Sequence, residues 1–126
     1  IVYYAMVSED VLGHIDGENR VLVDINNLEE LAFDHNQIVD KAVSRLCSKA
    51  TYSALPLFLL PEKFVLQDMY DLYNAVLGVK VHIATFRRRV EAMGFLEEVK
   101  GEFRGKTRPA QVYRMKEGSL HADMVF

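Results

Sequence analysis

Two short amphipathic segments, each closed by a glycine, constrain this sequence more than any other feature. The first spans about residues 67–77 and ends at Gly78, and the second runs from about His82 to Met93 and ends at Gly94. Their apolar residues recur every three or four positions, as in helices that bury one face. Glycine readily adopts the left-handed conformation that ends a helix. Two helices joined by a tight turn predict a helix-turn-helix.

A third amphipathic segment precedes this pair. An apolar stripe at helical period follows Asp34 and reaches Ala50. Asp34 and Gln37 have the spacing of a capping box, and Phe33 and Ile38 have that of a hydrophobic staple. The sequence therefore predicts a helix that begins at Asp34.

A hairpin follows the last helix. Residues 95–99 and 111–115 have strand character, and the segment between them, 100–110, is rich in glycine and basic residues. The order helix, helix, turn, helix, hairpin predicts an α+β fold, a winged helix-turn-helix of three helices and a β-hairpin wing. We assign it to residues 34–116 and treat residues 117–126 as a C-terminal tail.

The N-terminal region has the sequence features of a fragment of a larger domain. Residues 1–7 and 21–25 predict strands, and residues 13–19 between them are rich in turn formers. Two strands alone are marginally stable. We therefore expect residues 1–33 to be a short β remnant of another domain, and the chain to be a piece of a longer protein.

The charge is unevenly distributed along the chain. Residues 1–40 carry nine acidic residues and one basic one, whereas residues 41–116 carry fourteen basic residues against seven acidic ones. The whole-chain net charge of −3 thus conceals a segment of +7. Such a segment attracts polyanions, which favours a nucleic-acid partner.

The helix that ends at Gly94 separates its side chains into two faces. Phe86, Val90 and Met93 fall on the face that must pack against the other helices. The opposite face carries two alanines together with Thr85 and Arg88. Small residues let a helix approach the major groove, and arginine binds guanine with two hydrogen bonds. We expect Arg88 to contact a base, with Thr85 as the second candidate.

Further cations surround this face. The expected backbone contacts are Arg87 and Arg89 on the helix, Arg104, Lys106 and Arg108 in the wing, and His82 near the helix start. Together with Thr85 and Arg88 they form the predicted interface with double-stranded DNA. The open alternative is a solvated basic surface without a partner.

Other functional classes find little support in the sequence. It contains no Cys or His cluster at metal spacing, no nucleophile elbow and no phosphate-binding glycine loop. We therefore expect no catalytic site, no metal and no cofactor. The longest apolar runs, of seven and eight residues, cannot cross a bilayer core of roughly 30 Å, which excludes a membrane partner. The single cysteine, Cys47, fits a reducing, cytoplasmic compartment.

From about Tyr3 to Arg114 the sequence resembles the Nudix-related transcriptional regulators, the NrtR/AraR-like group. The residues that carry the resemblance are Val2 to Ala5, Leu31 to His35, Leu59 to Phe64, Leu72 and Tyr73, Phe86 to Arg88, Arg108 to Ala110, and Tyr113. The sequence departs from the group at His82, where relatives often have Asp, and at Thr85, where they often have Asn.

This resemblance implies a bacterial regulator with a Nudix-like effector domain, of which residues 1–33 are the C-terminal remnant, and a winged helix that binds operator DNA as a homodimer. The implied effectors are ADP-ribose-like nucleotides in some branches and sugars or sugar phosphates in others. The catalytic Nudix box of the family has no counterpart in these 126 residues. Two alternatives stay open: a fragment of an active Nudix pyrophosphohydrolase, and a winged helix used for protein contact.

Overall fold

The winged-helix prediction is confirmed by the computed structural model, which describes residues 1–13, 19–78 and 80–119. Within those ranges, the helices are α1 (Glu9–Leu12), α2 (His35–Ala50), α3 (Leu66–Leu77) and α4 (Ile83–Met93), and the strands are β1 (Phe64–Val65), β2 (Leu96–Arg104) and β3 (Ala110–Met115). Short 3-10 turns cover Ile25–Asn27 and Leu55–Leu59. None of the described helices is long and apolar enough to cross a membrane.

The three strands form one antiparallel sheet in the order β1-β3-β2. The sequence predicted the β2–β3 hairpin, whereas it missed the two-residue strand β1, in which Phe64 lies opposite Tyr113. Both residues of β1 are buried, so this strand joins the sheet to the core. Strand β2 is longer than predicted, because it continues as far as Arg104 and shortens the loop to residues 105–109.

The core lies between the sheet and helices α3 and α4. Aromatic rings fill much of it: Phe86 of α4 meets Tyr70 edge-on at a centroid distance of 5.4 Å and lies 6.0 Å from Tyr73. The buried members of this cluster are Ala54, Leu57, Phe64, Met69, Tyr73, Phe86, Val90 and Phe95. Tyr73 also donates a hydrogen bond to the carbonyl of Ser53 at 3.0 Å. These contacts hold α4 against the body by its apolar face.

The predicted strands at residues 1–7 and 21–25 are not formed. Residues 1–7 have no regular structure, and the second segment leads instead into the 3-10 turn at Ile25. Most of their large apolar side chains are exposed. An isolated pair of strands is only marginally stable in water, so these two segments form no sheet despite their apolar sequence. Most of the predicted turn between these segments lies outside the described residues.

The predicted start of α2 is correct, but its predicted cap is wrong. The Asp34 side chain makes no capping hydrogen bond, since its backbone (φ −97°, ψ 17°) is not in the extended region that a capping residue requires. Phe33 has a positive φ of 58° and is 95% exposed, so no staple forms. Asn36 organises the segment instead, accepting from the Leu31 N–H at 2.7 Å and donating to the Glu29 carbonyl at 3.0 Å.

Candidate nucleic-acid interface

The turn between α3 and α4 is held by side chains of α3. Gly78 has a φ of 66° and ends α3 with a hydrogen bond from its N–H to the Asn74 carbonyl at 3.0 Å. The Asn74 side-chain oxygen accepts from the Val81 N–H at 2.9 Å, and the Tyr70 hydroxyl donates to the Val81 carbonyl at 2.7 Å. The backbone N–H and carbonyl of Val81 are thus both bonded to α3. Val81 directly precedes His82, the capping residue of α4.

Helix α4 is supported at its end by a residue that the sequence did not single out. The helix ends at Gly94, whose φ of 62° is the left-handed conformation expected there. Lys116, just after β3, donates its Nζ to the Gly94 carbonyl at 2.6 Å and its N–H to the Phe95 carbonyl at 2.8 Å. A cation at this end also interacts favourably with the helix dipole.

The exposed face of α4 has the predicted composition. Phe86 and Val90 are 1% and 3% exposed, so the expected buried face is confirmed. Arg87, Arg88 and Arg89 are all exposed, and within the described part of the chain none forms an ion pair. Ala84 and Ala92 are exposed one turn before and one turn after Arg88, Thr85 is half-buried, and His82 is exposed without a capping hydrogen bond.

The wing presents two of its three predicted cations in its loop. Lys106 and Arg108 lie in the exposed loop between β2 and β3. Arg104 does not: it belongs to β2, and its guanidinium lies 2.8 Å from the Asp68 carboxylate of α3. It also donates to the Lys63 carbonyl at 3.4 Å. The expectation that Arg104 lies in the loop is therefore wrong, because strand β2 continues through it and places it beside α3.

A second set of contacts fixes the base of the wing. Between Glu98 and Phe103 strand β2 has an irregular register against β3, and Gly101 takes a φ of 78° there. The Gln111 side-chain amide donates to the carbonyls of Val99 at 2.9 Å and Glu102 at 3.3 Å, so it bonds to backbone groups within this irregular stretch. The Glu102 carboxylate meets the Lys63 ammonium at 2.7 Å.

A groove of about 380 Å³ separates α4 from the sheet. Glu91 of α4, Glu98 of β2 and Tyr113 of β3 contribute its polar side chains. Burial raises the pKa of the Tyr113 phenol, the carboxylates of Glu98 and Glu91 raise it further, and the Arg87 guanidinium opposes them. Glu91 is exposed, and the sequence analysis gave it no role. Its helical position beside Arg87 was the available signal.

The architecture is that of a winged helix of the class that binds double-stranded DNA: a helix with exposed arginines and a buried apolar face, followed by a basic loop between two strands. Residues 56–115 match the family model described as the NrtR DNA-binding winged helix domain. Residues 56–115 therefore form a winged-helix domain of the NrtR family.

One related protein and two crystal structures of a second relative illustrate the similarity. The chain is 33% identical over 119 residues to a protein of Acinetobacter baylyi described as an ADPR responsive transcriptional repressor, covering 90% of this chain and 47% of that protein. It is 35% identical to Shewanella oneidensis NrtR in a crystal structure with a 27mer DNA, with a TM-score of 0.70 and coverage of 80% and 46%. Another crystal structure of Shewanella oneidensis NrtR gives 28% identity, a TM-score of 0.81 and coverage of 95% and 56%.

The chain therefore spans about half the length of the relatives that it matches. The matched family domain covers α3, α4 and the whole sheet, so every residue of the predicted interface falls within it.

Proposed function

We propose that this chain is the operator-binding part of a bacterial transcriptional repressor and that α4 enters the major groove of the operator. The observation that carries the proposal is the outer face of α4. It presents three consecutive exposed arginines that form no ion pair among the described residues, while the face behind them is buried in the core. Similarity to a protein crystallised with DNA supports the same role.

Arg88 is the residue that we assign to base recognition. It lies in the middle of the exposed face, and the flanking Ala84 and Ala92 add no bulk that would keep the helix away from the base edges. A guanidinium in this position forms two hydrogen bonds to the O6 and N7 atoms of guanine. Thr85, half-buried one turn earlier, is the second candidate for a base contact.

Four cations remain for the phosphates. Arg87 and Arg89 flank the central face, and Lys106 and Arg108 project from the wing loop. His82 lies exposed at the start of α4, where its side chain can meet a phosphate. The loop cations neutralise charge on the DNA backbone alongside the groove and carry no sequence information. Arg104 positions the wing, since Asp68 holds it.

Control of the repressor is assigned to the part of the protein upstream of this chain. A Nudix-like domain there would bind the effector, and the description of the Acinetobacter relative as ADPR responsive favours an ADP-ribose-like nucleotide over a sugar. The operator-bound form would be a cytoplasmic homodimer that reads two half-sites separated by a whole number of helical turns.

The proposal is tested by measuring the affinity of the chain for duplexes selected from a randomised pool, as a function of salt. Four phosphate contacts give a log–log slope of roughly −3 to −4. Arg88→Ala should weaken binding by about 1–3 kcal/mol and relax the preference at one base pair. Lys106→Ala should weaken binding to all duplexes alike and reduce the slope by about 1.

The matched control is Arg45→Ala on α2, which removes an exposed cation outside α4 and the wing and should leave the slope unchanged. A flat salt dependence, or equal affinity for selected and random duplexes, would contradict the proposal. Loss of a protein partner with DNA binding intact, after all three arginines of α4 are neutralised, would favour a protein-contact role instead.

A further inference from the structure

The outer face of α4 carries one acidic residue. Glu91 follows Arg87 by four positions and Arg88 by three, so at about 100° per residue its side chain lies between theirs. It is exposed, and the structure shows it at the edge of the groove that faces Glu98 and Tyr113. A carboxylate in the middle of a surface that meets a polyanion is repelled by phosphates and needs a specific partner to be favourable there.

No such partner exists within the described part of the chain. The carboxylates of Asp68, Glu97 and Glu102 each pair with a cation, whereas Glu91 forms neither an ion pair nor a side-chain hydrogen bond there. Arg87 is one turn away, but an acid that follows its base by four residues has the weaker orientation for a helical ion pair, and no contact forms. All acceptor sites of the Glu91 carboxylate are therefore available to a ligand.

The major groove offers few groups that a carboxylate can accept from. The edges of guanine and thymine present acceptors, which repel it, and adenine places the N7 acceptor beside its N6 donor. Cytosine presents the N4 amino group, which donates without a neighbouring acceptor of its own. A glutamate at a base edge therefore selects cytosine and rejects the other bases.

We propose that Glu91 is a specificity-determining residue that accepts a hydrogen bond from cytosine N4 at a base pair adjacent to the one that Arg88 contacts. This inference rests on the proposed function, since it requires α4 in the major groove. Helix α4 would then contact bases through two side chains of opposite charge, the Arg88 guanidinium at guanine and the Glu91 carboxylate at cytosine. The surrounding phosphate contacts are left to Arg87 and Arg89.

The test compares wild type with Glu91→Gln and Glu91→Ala on four duplexes that differ only at the base pair in question, identified from the selected pool. Wild type should prefer cytosine by roughly 10-fold or more. Glutamine forms two hydrogen bonds with adenine N6 and N7, so Glu91→Gln should move the preference from cytosine to adenine. Glu91→Ala should bind the four duplexes within about twofold of one another.

The control is Glu29→Gln, which removes the same charge from an exposed residue in the N-terminal region and should leave every base preference unchanged. If Glu91→Gln and Glu91→Ala raise the affinity for all duplexes equally and keep the wild-type preference, Glu91 is only a repulsive charge and the inference fails. Wild type without any DNA preference would instead overturn the proposed function, so the two failures are distinguishable.

Discussion

Replacing Tyr70 by phenylalanine removes one hydroxyl and tests whether the turn before α4 sets the geometry of DNA binding. The hydroxyl donates to the Val81 carbonyl at 2.7 Å, and this bond spans the turn of the helix-turn-helix. The aromatic ring packs edge-on against Phe86 at 5.4 Å, and phenylalanine keeps that contact. The substitution therefore deletes the hydrogen bond and little else.

The expected loss of stability follows from the environment of the bond. It is partly buried, so its removal should lower the free energy of unfolding by about 1 kcal/mol. With a urea m-value of about 2 kcal/mol/M, the unfolding midpoint falls by about 0.5 M. Asn74→Ala leaves the Val81 N–H without its acceptor and should cost about 1–3 kcal/mol, reduced by a few tenths because alanine favours the helix.

The same variants report on function. If the two hydrogen bonds hold α4 in the orientation that binds DNA, a variant that lacks one of them must restore this orientation when it binds. The cost is at most the free energy of the lost bond, so Tyr70→Phe should weaken binding to the preferred duplex by up to about fivefold. The double variant should show a coupling of about 0.5 kcal/mol or more, since both bonds end at Val81. Tyr52→Phe is the control, because Tyr52 is 48% exposed and its hydroxyl forms no hydrogen bond among the described residues. The reasoning is refuted if Tyr70→Phe unfolds at the same urea concentration as Tyr52→Phe.

Two further substitutions test the supports of the interface. Val90→Ala removes buried methyl groups between α4 and the sheet, so it should lower the free energy of unfolding by about 2 kcal/mol, measured by urea unfolding. The base preference of the folded fraction should not change, and a shifted preference would show that Val90 does more than pack. Arg104→Met breaks an ion pair whose side chains are 52% and 37% exposed, so it should lower the free energy of unfolding by less than about 1 kcal/mol. Unlike Lys106→Ala, it should leave the salt slope of DNA binding unaltered. A drop of about 1 in that slope would show that Arg104 contacts a phosphate directly.

Periodicity predicted those parts of the fold that depend on residues close in sequence. Helices α3 and α4 and their glycine ends follow from local patterns, and the buried face of α4 follows from the spacing of Phe86 and Val90. Strand β1 escaped prediction because two residues carry no period, and its existence depends on pairing with β3, forty-nine residues after Phe64 in the observed register with Tyr113.

Non-local pairing also explains the errors in the interface. Arg104 was read as a loop cation since the glycines around it are typical of a flexible segment, and nothing local indicates that Asp68 lies beside it. The roles of Gln111 and Lys116 depend in the same way on the register of the hairpin and on the end of α4. Residues 1–7 and 21–25 show the opposite case: their local sequence favours strands, but neither segment pairs with a strand among the described residues.

The two halves of the interface are held by interactions that respond differently to salt. Helix α4 is fixed by buried rings and by hydrogen bonds from the uncharged side chains of Tyr70 and Asn74, which ions in solution do not screen. The wing is fixed to the body in part by exposed ion pairs, Lys63 with Glu102 and Arg104 with Asp68, which salt weakens. Raising salt therefore weakens the contribution of the wing to affinity, chiefly by screening Lys106 and Arg108 from the phosphates. Because salt does not screen these contacts of α4, base discrimination by Arg88 should persist at salt concentrations where the contribution of the wing to affinity has been lost.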